Sequence, residues 1–398
     1  MTQGRIIQIE GDLILIRSQK GIEKVRLDSP DALLQRGDLV KVENGQATCL
    51  TPNLSASRST RFMDQILDPR RIRGVTRRAQ VLRLIREFFH GQAFLETETP
   101  LLVPCPGMET HIRPYRVQAV TGDLFFLPTS PEFAMKRLLV GGLEKIFQLS
   151  RAFRNEPVSS THQPEFTMLE WYRAFSHYEQ IMRDTEELFA FIALHLFGSS
   201  VITYQNQKID LTPPWPRLKV RDLFLNLAEV NLVEAHSSEL LAWHCQRLGI
   251  YAAVTEPWDD LYFKIWLNCI EPQLPKDRAV FVTRYPASQS ALAVKDRDTD
   301  GSLWAKRFEV YAGNLELGNA FEELTDPAEQ RARFVADMDQ REKIYGAEFP
   351  RNALDEDFLA ALDEGLPPSG GIAVGVDRLV MLFADEPEIQ FTQWLPHA

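Results

Sequence analysis

Charged residues occupy one face of a predicted β-hairpin in the segment KIFQLSRAFRNEPVSSTHQPEFTMLEWYRAF, residues 145–175. Two strand patterns in this segment flank a loop that contains Pro157 and Pro164. Because alternate side chains of a strand share a face, the hairpin brings together Gln148, Ser150, Arg154, Glu156, Phe166, Met168, Glu170 and Tyr172. Unpaired charges are costly to bury, so we expect this face to bind a charged ligand. The alternative is a surface hairpin joined by salt bridges.

A second predicted hairpin, RFEVYAGNLELGNAFEEL, also carries carboxylates. Glu309 and Glu316 flank its turn, and two carboxylates in such a position suit Mg²⁺ bound against a polyphosphate. By alternation, one face of the second strand carries Asn319, Phe321 and Glu323, whereas Glu316 points to the opposite face. All of them can face one pocket only if the strand twists or bulges near Leu317 and Gly318, which a glycine permits.

The segment SGGIAVGVDRLVMLF predicts a glycine-rich strand that runs into an apolar helix. Gly371 and Gly375 would allow a ligand to approach the backbone closely, and Arg378 lies in the first turn of the helix. A helix N-terminus beside a guanidinium suits a terminal phosphate. The signal is weak by itself, because such junctions often serve packing alone, and the P-loop pattern is absent.

The 398 residues mix strand and helix patterns without regular alternation, which predicts an α+β fold with an antiparallel sheet flanked by helices. We expect a small β domain, OB-like or barrel-like, at residues 1–56 and a large catalytic domain at residues 57–398. The small domain has seven basic and seven acidic residues, and the first aromatic residue of the chain is Phe62. It therefore offers no ring on which a nucleobase could stack.

The composition favours a cytoplasmic protein with reduced cysteines. No apolar run approaches the ~20 residues of a membrane span, the N-terminus lacks the pattern of a signal peptide, and the four cysteines form no CxxC pair. A net charge of −11 disfavours non-specific binding of nucleic acids. Seven arginines between Arg58 and Arg78 leave two interpretations open, a solvated face of a helix or a docking surface for an acidic partner.

Several segments together resemble the signature motifs of class II aminoacyl-tRNA synthetases: GQAFLETETP, FRNE with HQPEF, and GVDRL. Within that class the chain is similar to lysyl-tRNA synthetases through LPTSPEFAMKRLL, HQPEFTMLEWY, RFEVYAGNLELGNAFEELTD and GVDRLVML. It is more similar still to their short paralogues, which attach (R)-β-lysine to elongation factor P, through TSPEF, YPASQSALA, RFEVYAG and GIAVGVDRL. The resemblance implies a homodimer formed through the first motif.

The resemblance also implies roles for individual residues. Contacts with ATP would come from Arg154, Glu156, His162, Phe166, Glu309, Glu316 and Arg378, of which Arg154 and Arg378 would be catalytic and Glu309 and Glu316 would bind Mg²⁺. Contacts with lysine or β-lysine would come from Ser130, Glu132, Glu170, Tyr172, Asn319, Phe321, Glu323 and Ala373. The chain departs from the family pattern at Gln163, where asparagine is usual, and at Ala320, where glycine is usual. Ala373 replaces a glycine of the synthetases, as in the paralogues.

Three functions remain open at this point. The resemblance favours an ATP-dependent ligase that forms a lysyl-type adenylate and transfers the acyl group to a lysine side chain of elongation factor P. A shortened lysyl-tRNA synthetase that charges tRNA-Lys is the second, although the small neutral N-terminal domain makes recognition of tRNA less favourable. The third is a regulatory paralogue without catalytic activity. The phosphate and metal contacts named above argue against it, because such a protein has no need to keep all of them.

Overall fold

The structure is a computed structural model that describes residues 1–18, 21–28, 33–54, 65–346 and 354–396. The predicted boundary between the two domains and the segment SASRST, with Arg58, fall outside the described residues. Within the described part, no helix is both long enough and apolar enough to cross a membrane.

The N-terminal residues form a small antiparallel sheet, as the alternating pattern predicts. Its strands are β1 (Thr2–Glu10), β2 (Leu13–Ser18), β3 (Gly21–Arg26), β4 (Leu39–Glu43) and β5 (Gln46–Thr51), in the order β3-β2-β1-β4-β5. One face of the sheet buries Ile6, Ile14, Ile16 and Val40 in a small apolar core. On the other face Ile7 packs with Leu67 and Ile72 of the following segment, which joins the sheet to the rest of the protein.

The remaining elements form one large sheet and its flanking helices. The helices are α1 (Pro69–Gly91), α2 (Glu132–Val140), α3 (Tyr178–Phe197), α4 (Val220–Ala228), α5 (Ser238–Arg247), α6 (Trp258–Ile265), α7 (Pro327–Tyr345), α8 (Glu356–Gly365) and α9 (Val376–Ala384). The strands are β6 (Leu95–Glu96), β7 (Arg116–Gln118), β8 (Leu124–Phe126), β9 (Lys145–Phe153), β10 (Glu165–Ala174), β11 (Val201–Tyr204), β12 (Gln207–Asp210), β13 (Arg217–Lys219), β14 (Val280–Pro286), β15 (Lys295–Arg297), β16 (Leu303–Ala312), β17 (Leu315–Glu322) and β18 (Ser369–Gly375).

The large sheet has the order β13-β14-β16-β17-β18-β10-β9-β6, and β15 pairs with β16 at one end. Neighbouring strands from β14 to β9 in this order are antiparallel. Among the described residues of this sheet, parallel pairing occurs only at its two ends, where β13 pairs with β14 and β6 pairs with β9. This arrangement confirms the predicted α+β fold with an antiparallel sheet and a small N-terminal β unit.

Each face of the large sheet supports its own apolar core, because successive strand residues point to opposite sides. On β10, Trp171 packs into the core formed with α1, α3 and α9, whereas its neighbour Tyr172 joins the core formed with α2, α4, α7 and α8. Both side chains are almost completely buried. The polar face of the first hairpin therefore lies on the same side as the second core.

Three arginines of α1 make contacts within the protein. Arg70 forms ion pairs with Glu386 and Glu388, at 2.5 and 3.0 Å. Arg71 is 2% exposed and donates to backbone carbonyls near the C-terminus, and Arg78 is buried as well. For Arg71 and Arg78 these contacts correct both interpretations of the arginine cluster, since a buried guanidinium faces neither solvent nor a partner.

Candidate active site

A cavity of about 490 Å³ lies over the polar face of the large sheet. The residues predicted for the site line this cavity with the exception of Glu309; they are Ser130, Glu132, Arg154, Glu156, His162, Phe166, Glu170, Tyr172, Glu316, Asn319, Phe321, Glu323, Ala373 and Arg378. Segments far apart in sequence thus meet around one space.

Strand register explains how three of these residues come to lie side by side. Glu170 on β10 is paired with Ala373 on β18, and Ala373 is paired with Asn319 on β17. Paired residues of antiparallel strands point to the same face, with Cβ atoms about 5 Å apart. The three side chains therefore form one row across the floor of the cavity.

The bulge that the sequence requires in β17 is present. Val310 pairs with Gly318 and Tyr311 pairs with Glu316, so Leu317 is the extra residue between them. The bulge brings Glu316 into the cavity with Asn319 despite their different parity. Gly318 is needed here, because a Cβ at this position would lie 2.9 Å from the carbonyl oxygen of Ala373.

One end of the cavity holds an anionic pocket around a buried lysine. The Nζ of Lys136 is 2.6 Å from Glu132 Oε1 and 2.5 Å from Glu323 Oε2, and the residue is 1% exposed. Glu170 accepts a hydrogen bond of 2.8 Å from the Tyr172 hydroxyl, but its Oε1 is buried without a partner among the described residues. Three carboxylates thus face one ammonium group, so the pocket suits a cationic ligand.

The titration of this pocket reflects its excess of carboxylates. Burial raises the pKa of Glu323 to about 8, although Lys136 opposes the shift. Burial and then the charge of Glu132 raise the pKa of Glu170 well above its ordinary value. Burial alone would lower the pKa of Lys136, but Glu132 and Glu323 raise it above the usual value. An additional cation would stabilise the charged carboxylates.

Gly371 has a packing role that the sequence did not predict. A Cβ here would lie 2.2 Å from Cε1 of Tyr172 and 2.5 Å from Oε1 of Glu323. The glycine therefore makes room for side chains of the anionic pocket, and it also lines the cavity. By contrast, a Cβ at Gly375 would meet nothing within 4 Å, as expected for a residue that leaves space in the cavity.

The opposite end of the cavity is cationic. Arg378 Nη2 lies 2.7 Å from Nε2 of His162, and its Nη1 donates to the backbone oxygen of Glu316 at 2.9 Å. Arg154 lies over the Phe166 ring at 5.3 Å from the centroid, and its buried Nε has no partner among the described residues. Burial and the neighbouring Arg378 lower the pKa of His162, which favours a neutral imidazole that accepts from the guanidinium.

The two predicted magnesium carboxylates differ in their surroundings. Glu309 is 8% exposed and accepts hydrogen bonds from Tyr285, at 2.6 Å, from Tyr311, at 2.8 Å, and from Arg307. Glu316 faces the cavity, and burial followed by the charge of Glu309 raises its pKa to about 7, although 42% of its side chain is open.

This carboxylate pair fits a divalent cation. The charge of Glu309 makes it costly to ionise Glu316, and a bound cation would remove that cost. No group of three His, Cys, Asp or Glu suited to a metal occurs in the described part of the chain. A metal here would therefore need further oxygen ligands from a phosphate or water, which is the usual way in which Mg²⁺ binds.

Asp377 joins three parts of the site. Its Oδ2 accepts from the backbone N–H of Thr167 at 2.7 Å, and its Oδ1 accepts from Arg78 at 2.9 Å and from Gln393 at 2.8 Å. These bonds hold α9, which carries Arg378, against β10 and α1. Sequence reasoning missed both Asp377 and Lys136, although Lys136 stands four residues after Glu132, a spacing at which two side chains of a helix share a face.

Comparison with known proteins identifies the family. The family of class II tRNA synthetases (D, K and N) matches residues 54–398. Proteins named lysine–tRNA ligase are similar: that of Moorella thermoacetica is 38% identical over 331 residues, and one of Anaeromyxobacter sp. (strain K) is 40% identical over 350 residues. Each match covers 83% of this chain and 66% of the relative, so the chain spans slightly less than two thirds of the length of these relatives. The chain belongs to the class II tRNA synthetases of the D, K and N type.

Proposed function

We propose that this protein activates a lysine-like amino acid with ATP to form an enzyme-bound adenylate. The observation that carries the proposal is the cavity with two poles of opposite charge. Three carboxylates and one lysine at one end fit a substrate with an additional ammonium group, and Arg154 and Arg378 at the other end fit its carboxylate and the phosphates. The similarity to lysine–tRNA ligases supports the choice of amino acid.

The chemistry requires positioning and charge neutralisation, and no covalent nucleophile. A carboxylate oxygen of the amino acid attacks the α-phosphorus in line, the bond to the bridging oxygen breaks, and pyrophosphate leaves. Arg154 would orient the two reactants and neutralise charge as it develops. Glu316, with Glu309, would hold Mg²⁺, which supplies additional neutralisation of the phosphates when bound. The ring of Phe166 would stack against adenine.

We infer that the acceptor is a lysine side chain of elongation factor P. The inference rests on the segments that resemble the paralogues and on the N-terminal unit, which is neutral and lacks aromatic side chains for binding nucleotides. Transfer of lysine to tRNA-Lys is the second candidate, and the names of the relatives favour it. A catalytically inactive paralogue is disfavoured, because Arg154, Glu316 and Arg378 all line the cavity.

The test is an acylation assay that offers tRNA-Lys and elongation factor P side by side, each with α-lysine and with (R)-β-lysine. We expect label to appear on the protein and to be more abundant with β-lysine. Efficient charging of tRNA-Lys without labelled protein would establish the second candidate. If no amino acid supports exchange between ATP and pyrophosphate, the proposed activation is wrong.

A further inference from the structure

A third group of residues in the same cavity has no part in amino-acid activation as described above. Glu109, Asp259 and Asp337 line it, and they come from the segment before β7, from α6 and from α7. The carboxylates of Glu109 and Asp259 both act on Asp337, whose pKa is raised to about 6 by burial and by the charge of Glu109. The cavity thus has a second anionic region, which we call the acidic limb.

Carboxylates outweigh the cations near the acidic limb, because the charges of Arg333 and Arg341 oppose the raised pKa of Asp337 without reversing it. In the part of the chain that the structure describes, neither Glu109 nor Asp337 forms a salt bridge, and Oε2 of Glu109 is buried without a hydrogen-bond partner. Both nearby guanidiniums already have acceptors: Arg341 donates to the backbone oxygens of Glu109 and Ile112 at 2.6 Å each, and Arg333 pairs with Glu329 and donates to backbone oxygens. Unlike the pocket around Lys136, this region has no ammonium group of its own.

A buried amide also lies in this limb without a full set of partners. Gln289 is 8% exposed and lines the cavity; its Nε2 donates to Asp259 at 3.1 Å, whereas its Oε1 has no partner among the described residues. An unsatisfied buried acceptor is costly. A ligand with several N–H donors and a positive charge would satisfy both the amide oxygen and the carboxylates, and an ammonium group has these properties.

We propose that the acidic limb, formed by Glu109, Asp259 and Asp337, receives the acceptor of the second half-reaction as a primary ammonium group on a protein side chain. The inference rests on the proposed function, since it assumes that an adenylate forms in the cavity. A lysine side chain carries the required charge on a slender apolar stem, and a phosphodiester strand would be repelled by three carboxylates.

The transfer step balances as follows. The ammonium group gives one proton to the carboxylate of Asp337, and the resulting neutral amine attacks the carbonyl carbon of the adenylate. A C–N bond forms, the bond between that carbon and the phosphate oxygen breaks, and AMP leaves with the electron pair. The nitrogen then loses a second proton to water, which leaves a neutral amide. A carboxylate with a pKa raised towards neutrality is suited to the first proton transfer.

The experiment separates the acceptor step from activation. Adenylate is formed on the full chain with ATP and the amino acid, and its consumption is timed with two probes. Nα-acetyl-lysine amide carries an ammonium group, whereas hydroxylamine is uncharged at neutral pH. Rates are normalised to the adenylate that each variant forms. The variants are Asp337→Asn and Glu109→Gln, with Glu342→Gln as an exposed control on the same helix.

We expect the rate with acetyl-lysine amide to fall about 100-fold in Asp337→Asn, where a proton acceptor is lost, and about tenfold in Glu109→Gln, where one charge is lost. The rate with hydroxylamine should change much less, and Glu342→Gln should match the parent protein with both probes. Equal losses with the two probes, or no loss with the ammonium probe, would refute the acidic limb as the acceptor site. If the parent protein forms no adenylate, the proposed function fails and this inference fails with it.

Discussion

Arg154 is the residue on which activation should depend most. Its guanidinium lies over the ring of Phe166 at 5.3 Å from the centroid, and its Nε is buried without a partner among the described residues. In Arg154→Ala we expect exchange of ATP with pyrophosphate to fall on the order of 100-fold or more, because charge developing at the α-phosphate is no longer neutralised. Near-normal exchange would remove Arg154 from the site.

The anionic pocket should make affinity for the amino acid depend on pH. Glu323, with a pKa of about 8, must be ionised to pair with a ligand cation. The contribution of Glu323 to binding of the amino acid is therefore present above pH 8 and is lost as the pH falls. Affinity for the amino acid should weaken from about pH 8.5 to about pH 6.5, by up to about tenfold per pH unit. Titration calorimetry in two buffers of different ionisation enthalpy should detect proton release on binding. Affinity independent of pH, or proton uptake, would contradict this assignment.

The methyl group of Ala373 should influence which amino acid is preferred. It lies in the row between Glu170 and Asn319, at the floor of the cavity. Its removal in Ala373→Gly changes the space for an amino group displaced by one carbon, an effect worth about 1–3 kcal/mol. We expect preference to shift from β-lysine towards α-lysine when kcat/KM is compared for the two. An unchanged ratio would place the methyl group away from the substrate.

At the scale of elements, the ion pair between Arg78 and Asp377 connects α1 to α9. The two side chains are 10% and 2% exposed, so removing one charge leaves the other buried and unpaired. Asp377→Asn should therefore lower the free energy of unfolding by about 3–5 kcal/mol, measured by urea denaturation. The matched control is Glu87→Gln, which breaks an exposed pair with Arg83 and should change stability by less than about 0.5 kcal/mol. Similar effects of the two substitutions would contradict a structural role for the buried pair.

At the scale of the whole molecule, we expect a homodimer formed around the first motif. Leu95, Leu101 and Leu102 in this region are 53%, 42% and 47% exposed, although large apolar side chains are usually buried. Light scattering at micromolar protein should give the mass of a dimer. Leu101→Glu combined with Leu102→Glu should give a monomer, whereas Leu240→Glu, at an exposed leucine of α5, should not. A monomeric parent protein would overturn the expectation.

The sequence by itself determined which side chains share a face. Alternation along a strand places Glu170 with Tyr172, and the parity of Glu316 against Asn319 required the bulge that the structure contains at Leu317. These relations are local, because the period of a strand depends only on its backbone geometry. For the same reason, the sequence predicted the α+β fold from its order of strand and helix patterns.

Only the tertiary structure decided which separate elements meet. Lys136 of α2 lies 2.5 Å from Glu323, the residue that follows β17, and no spacing within either segment predicts this contact. Likewise, Arg71 belongs to a basic segment but is buried against the C-terminal residues, and Asp337 joins the cavity from α7. Such contacts depend on the way in which the long stretches of chain between the two residues fold and pack. Local periodicity contains no information about them, so the acidic limb could not be predicted from the sequence.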